Sequence, residues 1–176
     1  MLGESQLGEG PLGESQNKGK GSDVAHVLVL GGEALSPALV SQWQGELLPK
    51  CRLINEYGPT EATVGCSWYE ATAEEAGDSQ ASVAIGRSIQ NAQMYVLNPG
   101  LGLCPPGVAG ELYIGGVGLA DGYEGLPELS AERFIRNPFY HADSGQSDRQ
   151  GESQSDRVYR TGDLGYYRED GELVYL

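Results

Sequence analysis

The chain has 176 residues and 27 glycines, and 25 Asp plus Glu stand against 11 Lys plus Arg for a formal net charge of −14. That length suits one domain of ordinary size, and the acidity excludes both the basic stripe of a nucleic-acid binder and the polybasic cluster of a membrane-surface anchor. Three scattered cysteines with no CxxC pair, and only two histidines, exclude a zinc site or disulfide framework and fit a reducing cytoplasm.

Residues 1–23 are Gly, Ser, Gln and charge, with LGESQ at 2–6 and again at 12–16. GESQ returns at 151–154 in an insert spanning about 140–156. Such segments bury little apolar surface and are expected to stay disordered. Residues 1–22 also lack the apolar centre of a signal peptide, and no apolar run approaches membrane-spanning length.

Residues 24–30 (VAHVLVL) read as a buried strand ended by Gly31-Gly32. Ser36-Pro37 supplies an N-cap followed by proline at the first helical position. Apolar residues at 39, 40, 43, 47 and 48 keep helical spacing until Pro49. With a second strand at 52–55, residues 24–64 form a β-α-β portion whose glycine turn can bring backbone amides close to a ligand. From 65 to 176 the pattern is β-rich. Short strands are predicted at 65–71, 93–98, 110–114, 158–159 and 172–176, with a helix over 127–134 and a turn at Asp170-Gly171. The fold class is therefore α/β leading into a β-rich, barrel-like portion.

Common nucleotide and nucleophile motifs fail on inspection. The lysine of Gly19-Lys20-Gly21-Ser22 is not followed by Ser or Thr, and no strand precedes it. Asp121 stands where a dinucleotide fingerprint needs its third glycine, and Gly65-Cys66-Ser67 lacks the last glycine of a nucleophile elbow.

Three other segments carry more. In NEYGPTEATV (55–64), Tyr57 can stack on a base, Thr60 can donate to a phosphate oxygen, and Glu61 can hold a hard cation such as Mg²⁺. An ordinary turn with a helix cap is the alternative. GELYIGGVGLADGYEGLPELSAERFI (110–135) reads as hairpin strand, glycine bend and short helix. In YRTGDL (159–164), Asp163 follows a glycine bend and can accept from two vicinal hydroxyls, as on a ribose, or be a plain turn aspartate.

Taken in order, VLVLGGEALSP, NEYGPTEATV, the GELYIGG-to-AERF segment and YRTGDL resemble the adenylation domains of nonribosomal peptide synthetases. The resemblance runs from about 24 to 176 and is broken only by the insert. The chain matches the second half of the large N-terminal domain of an adenylate-forming enzyme. The proline of GPTE and the GLADGY-to-AERF segment favour the peptide-synthetase branch, with Asp121 departing from that branch's usual arginine.

The resemblance implies that ATP and an amino acid form an aminoacyl adenylate and pyrophosphate. The acyl group then passes to the phosphopantetheine thiol of a carrier protein, with condensation domains in the same synthetase. By position, Gly31, Gly32 and Glu33 would lie beside the adenylate. Asn55 and Tyr57 would border the adenine, Thr60 the α-phosphate and Glu61 the magnesium, with Gly58 also among the nucleotide-binding residues and Thr60 and Glu61 the catalytic pair. Asp163 would take the ribose hydroxyls, with Tyr175 near the nucleoside. The side-chain pocket would be lined by Val29, Gly31, Glu56, Val64 and Gly65, a set similar to that of asparagine-activating domains. Glu56 is its one acceptor and no cation faces it, so an acidic substrate would be repelled.

The family's phosphate loop and the aspartate that holds the substrate amino group are expected before residue 1. The hinge and the lysine-bearing C-terminal domain are expected after Leu176. The chain is accordingly expected to be a fragment, inactive alone and, with exposed sheet edges, not folding independently. An acyl- or aryl-CoA ligase of the same superfamily and a non-catalytic truncated remnant are the competing readings.

Overall fold

A computed structural model describes residues 26–73, 82–140 and 156–176. The low-complexity start and most of the 140–156 insert lie outside the described residues.

The first sheet runs β1-β2-β3-β4, with β1 at Val27–Leu30, β2 at Arg52–Tyr57, β3 at Ser67–Ala71 and β4 at Arg87–Ser88. Strands β1 and β2 pair in parallel, with Val29 opposite Ile54 and Leu30 opposite Asn55. The link between them is the expected helix. In α1 (Pro37–Gln42) the Ser36 hydroxyl accepts from the Leu39 amide at 3.3 Å, proline occupies the first turn, and a π-helical turn continues over Trp43–Leu47. The Leu39 amide also donates to the Ser36 carbonyl at 3.1 Å, so Ser36 serves that first-turn donor with both oxygens, as an N-cap can.

Val40 is fully buried against Leu53, Leu35, Cys51 and Ala71, which places α1 on one face of the sheet. The opposite face corrects the expectation of a buried first strand. Val27 and Val29 are 53% and 58% exposed, because side chains alternate across a strand and only one face is covered among the described residues.

The second sheet runs β5-β6-β8-β7, with β9 also on β8. Its strands are β5 (Ala92–Leu97), β6 (Gly110–Gly116), β7 (Phe134–Arg136), β8 (Arg157–Tyr167) and β9 (Leu173–Tyr175). A helix α2 (Pro127–Arg133) precedes β7. It ends one residue before the predicted 134, since Phe134 pairs with Tyr159 and packs in the sheet. The short strand expected at 158–159 is in fact an eleven-residue strand, and YRTGDL lies inside it rather than in a loop after it.

Strand β8 does not run straight through that motif. Glu111 pairs with Leu164 and Tyr113 with Arg160, so four steps on β8 oppose two on β6. The surplus is accommodated where Gly162 takes φ +86°, a left-handed conformation costly for any residue with a Cβ. Thr161 pins the bulge, donating to the Leu112 carbonyl at 2.8 Å while accepting from the Asp163 amide at 2.9 Å.

The two sheets share a core. Ile85, Cys66 and Ala62 bury against Met94, Val96, Leu112, Ile114 and Leu173. Backbone hydrogen bonds from Ile85 to Leu173 (2.8 Å) and from Leu173 to Gly86 (2.9 Å) stitch the sheets together. The result is a mixed α/β unit with a curled, half-barrel-like antiparallel sheet. Among the described residues no helix is long and apolar enough to cross a membrane.

Candidate functional site

The parallel strands β1 and β2 end at the same edge, so the Gly31-Gly32-Glu33 turn and Tyr57 emerge together. Carboxyl ends of parallel strands are where open α/β sheets place ligands. All three residues of that turn are exposed.

From Tyr57 the chain folds back sharply. Gly58 is packed so closely that a methyl group there would overlap the Val64 carbonyl. Thr60–Ala62 form a single 3-10 turn, and Thr63 and Val64 then take φ of 63° and 67°. Two β-branched residues in left-handed conformation are uncommon and concentrate strain in this loop. Thr60 at the start of the turn is exposed, while Ala62 and Cys66 beneath it are buried. Burial, with a further push from the Glu56 charge, raises the Cys66 thiol to about 11, so it is a neutral packing group near pH 7.

The bulge in β8 delivers Asp163 to this loop from 106 residues away. The Tyr57 hydroxyl donates to Asp163 Oδ2 at 2.6 Å, and the Tyr175 ring lies 6.0 Å from that of Tyr57. Burial, then the hydrogen bond to Asp163, drives the Tyr57 phenol well above its ordinary pKa. A half-buried aromatic pair beside a carboxylate can hold a nucleoside, with its base against the rings and its hydroxyls on the acid.

Glu61 faces a different wall. Its Oε1 accepts from the Tyr123 hydroxyl at 2.7 Å, and its backbone carbonyl accepts from the Ala120 amide at 2.8 Å. The Thr63 hydroxyl donates to the Gly118 carbonyl at 2.6 Å, so the GLADGY segment cradles the TEAT segment. Burial works against the charged form of Glu61, yet the hydrogen bond from Tyr123, a backbone hydrogen bond at Glu61 itself, the nearby Tyr159 hydroxyl and the Arg133 charge hold it below the usual carboxylate range. An ionised oxygen donor fits a magnesium ion that is held mainly by phosphates and water. Among the described residues no cluster of three or more His, Cys, Asp or Glu could hold a metal ion, so a cation here would rely on such outside ligands.

Asn55 is only 2% exposed. Its amide donates to the Ala84 carbonyl at 2.8 Å and to the Val83 carbonyl at 3.3 Å, tying the 83–84 backbone to β2. Replacing Asn55 by Ala leaves those carbonyls without a donor and should cost about 1–3 kcal/mol. Thermal melting should register it as a lower midpoint.

Glu56 points to the open face of the first sheet, with Val29 and Ile54. Gly31 and Gly65 close in on it: a Cβ at 31 would lie 3.0 Å from the Glu56 carbonyl, and one at 65 would overlap its carboxylate. The structure thus gathers Val29, Gly31, Glu56 and Gly65, with Val64 exposed in the adjoining loop. Trp68, which the sequence reading did not single out, sits directly opposite Glu56 on β3 and is 48% exposed. The same face does carry cations: Arg87 of β4, directly opposite Trp68 and bonded to Glu172 at 2.8 Å, and Arg52, at about 13 Å along the strand from Glu56. There it makes a two-pronged pair with Glu70, both contacts at 2.7 Å.

A shallow depression of about 430 Å³ is lined by Glu111, Glu132, Arg133, Arg160, Gly162 and Leu164. It involves the residues flanking Asp163 but neither Asp163 nor the tyrosines, and Arg160 is already paired with Glu111 at 2.9 Å. It is therefore distinct from the Tyr57–Asp163 cluster. Tyr123 and Tyr159, which contact the site, fell within motifs quoted from the sequence but carried no local signal of that contact.

The chain matches the family described as AMP-binding enzyme over residues 6–124. It is 44% identical over 149 residues to malpinin synthetase of Mortierella alpina, covering 85% of this chain and 2% of that protein. With tyrocidine synthase 1 of Brevibacillus parabrevis it shares 40% identity over 150 residues, 85% of this chain and 12% of that protein. Among solved structures, the N-terminal subdomain of Klebsiella oxytoca NpsA in complex with 3-hydroxybenzoyl-AMSN superposes with a TM-score of 0.70 at 32% identity. That match covers 85% of this chain and 34% of that one. A holo NRPS protein containing adenylation and PCP domains superposes with a TM-score of 0.72 at 28% identity, over 86% and 24% of the two chains. The chain thus spans a small part of these relatives.

Proposed function

Because the chain belongs to the AMP-binding enzyme family, we propose that it forms the nucleotide-binding part of an amino-acid-activating adenylation domain. The reaction joins an amino acid carboxylate to the α-phosphate of ATP, releasing pyrophosphate. The acyl group then moves to the phosphopantetheine thiol of a carrier domain, with condensation domains as further partners. The observation that carries this reading is the 2.6 Å hydrogen bond between Tyr57 and Asp163, which brings two motifs 106 residues apart to one point.

In this reading Tyr57 and Tyr175 flank the adenosine, and Asp163 accepts from the ribose hydroxyls. Gly58 lets the backbone pass close by. Thr60, exposed at the head of its turn, donates to an α-phosphate oxygen. The Gly31-Gly32-Glu33 turn borders the adenylate, and Asn55 keeps the floor in place. Glu61 would hold magnesium through its carboxylate, and the ion would supply charge to offset that of the phosphates. No side chain becomes covalently attached, so the protein's part is positioning and charge stabilisation.

The open face around Glu56 is the proposed side-chain pocket, with Val29, Gly31, Val64 and Gly65. One acceptor in an otherwise small or apolar lining favours a polar substrate side chain that donates, such as asparagine, over an acidic one. ATP–pyrophosphate exchange by the protein that carries this chain tests both levels. Exchange stimulated by asparagine but not by aspartate is the expected result. Strong turnover of leucine or phenylalanine with indifference to asparagine overturns the pocket assignment. Thioester formation from free coenzyme A and a carboxylic acid lacking an amino group, without amino-acid-dependent exchange, replaces the reaction itself with that of an acyl-CoA ligase.

A further inference from the structure

We propose that Tyr123 is a positioning residue for this reaction, acting through Glu61. Its hydroxyl donates to Glu61 Oε1 at 2.7 Å and lies 3.3 Å from the Tyr159 hydroxyl, so the carboxylate is held by a phenol that has a second phenol behind it. The geometry commits Glu61 Oε1 to the Tyr123 hydroxyl and so fixes how the carboxylate is turned.

Every part of Tyr123 is fixed. Its backbone amide donates to Ser130 Oγ at 2.8 Å, and that hydroxyl returns a bond to the Tyr123 carbonyl at 3.3 Å or to the Leu126 carbonyl at 2.8 Å. Its ring meets Phe134 edge-on at 5.7 Å, and Phe134 in turn packs on Tyr159 at 5.0 Å. Gly122 beside it takes φ +150° with Ser130 pressed close, where a Cβ would come within 2.7 Å of the serine oxygen. A rigid phenol reaching across 62 residues to a single carboxylate restricts which rotamer that carboxylate can adopt. Without it, the two-bond swing of a glutamate side chain must be frozen each time a cation binds. The segment around Tyr123, read from sequence as a structural bend, is on this account part of the catalytic framework.

The proposal rests on the reading of Glu61 as the cation's protein ligand, and its test separates the two. In the protein that carries this chain, Tyr123→Phe removes the hydroxyl and keeps the ring. Mn²⁺ affinity in the presence of a non-hydrolysable ATP analogue, read by electron paramagnetic resonance, should weaken roughly tenfold, the scale of one hydrogen bond to a charged group. The metal concentration for half-maximal exchange should rise in parallel, with the amino acid KM unchanged. Glu61→Gln should weaken Mn²⁺ further. If Glu61→Gln has its effect and a folded Tyr123→Phe binds Mn²⁺ like the wild type, the positioning role is overturned and the site reading stands. If Glu61→Gln changes nothing, the site reading itself fails and the proposal with it. Should Tyr123→Phe melt far below the wild type, Tyr159→Phe decides instead. A several-fold loss of Mn²⁺ affinity supports the relay, and an unchanged affinity overturns it.

Discussion

Replacing Asp163 by alanine in the protein that carries this chain should lower kcat/KM for ATP in pyrophosphate exchange by roughly 100-fold or more. The carboxylate is placed to accept from two ribose hydroxyls, and each hydrogen bond to a charged group contributes about 1.5–3 kcal/mol. One of its oxygens already receives the Tyr57 hydroxyl at 2.6 Å. The substitution therefore also leaves a half-buried phenol without its acceptor, a cost of about 1–3 kcal/mol that thermal melting would report. Two further variants separate the effects. Tyr57→Phe deletes the internal bond but keeps the acid and the ring, so it should cost far less than Asp163→Ala. Asp163→Asn keeps one acceptor and should fall between them. An Asp163→Ala protein that melts normally and retains the wild-type KM for ATP would remove the ribose assignment.

Gly58→Ala should be equally damaging for a different reason. The added methyl group has no room, since it meets the Val64 carbonyl, the Val64 carbonyl carbon and the Cys66 amide nitrogen at once, all backbone atoms that cannot rotate aside. The Cys66 amide is itself tied to the Tyr57 carbonyl at 2.8 Å, so relieving the overlap must open that bond or shift the Thr60–Ala62 turn. Overpacking of this kind costs about 1–3 kcal/mol even in adaptable surroundings. Here it moves Thr60 and Glu61 together, and a displacement of about 1 Å at a reacting centre is enough for roughly 100-fold. Exchange activity should fall on that scale with the melting midpoint lowered by several degrees. A Gly65→Ala variant offers a contrast, because its methyl group meets the flexible Glu56 carboxylate instead of backbone. It should alter amino acid preference more than ATP use. Normal exchange kinetics in Gly58→Ala would mean that the turn is not held as tightly as its packing implies.

The difference between these two glycines shows why parts of the site could be read early and others could not. Both are simply glycines in the sequence, one in GPTEAT and one after Val64. Only the packed chain reveals that one abuts backbone and the other a side chain. Likewise the buried amide of Asn55 donates to the Val83 and Ala84 carbonyls, a tie that its reading as a residue bordering a base did not include. Its distance along the chain from those groups gives no local sign of the bond.

What the sequence determined by itself is whatever depends on neighbours a few residues apart. Ser36-Pro37 caps α1 because an N-cap hydroxyl and a proline ring act locally. The glycine turn after β1 and the β-α-β order follow from periodicity and turn chemistry in the same way. Tertiary structure alone decided the rest. A strand reading VLVL has no means of signalling that one face is left open among the described residues, so the exposure of Val27 and Val29 came only with the sheet. The bulge at Gly162 arises from a mismatch between β6 and β8, a property of two strands and not of either one. The convergence of Asp163 on Tyr57, and of Tyr123 on Glu61, depends on how the half-barrel closes. Side-chain chemistry is written residue by residue, but the distance between two side chains far apart in the chain is set by every packed element between them.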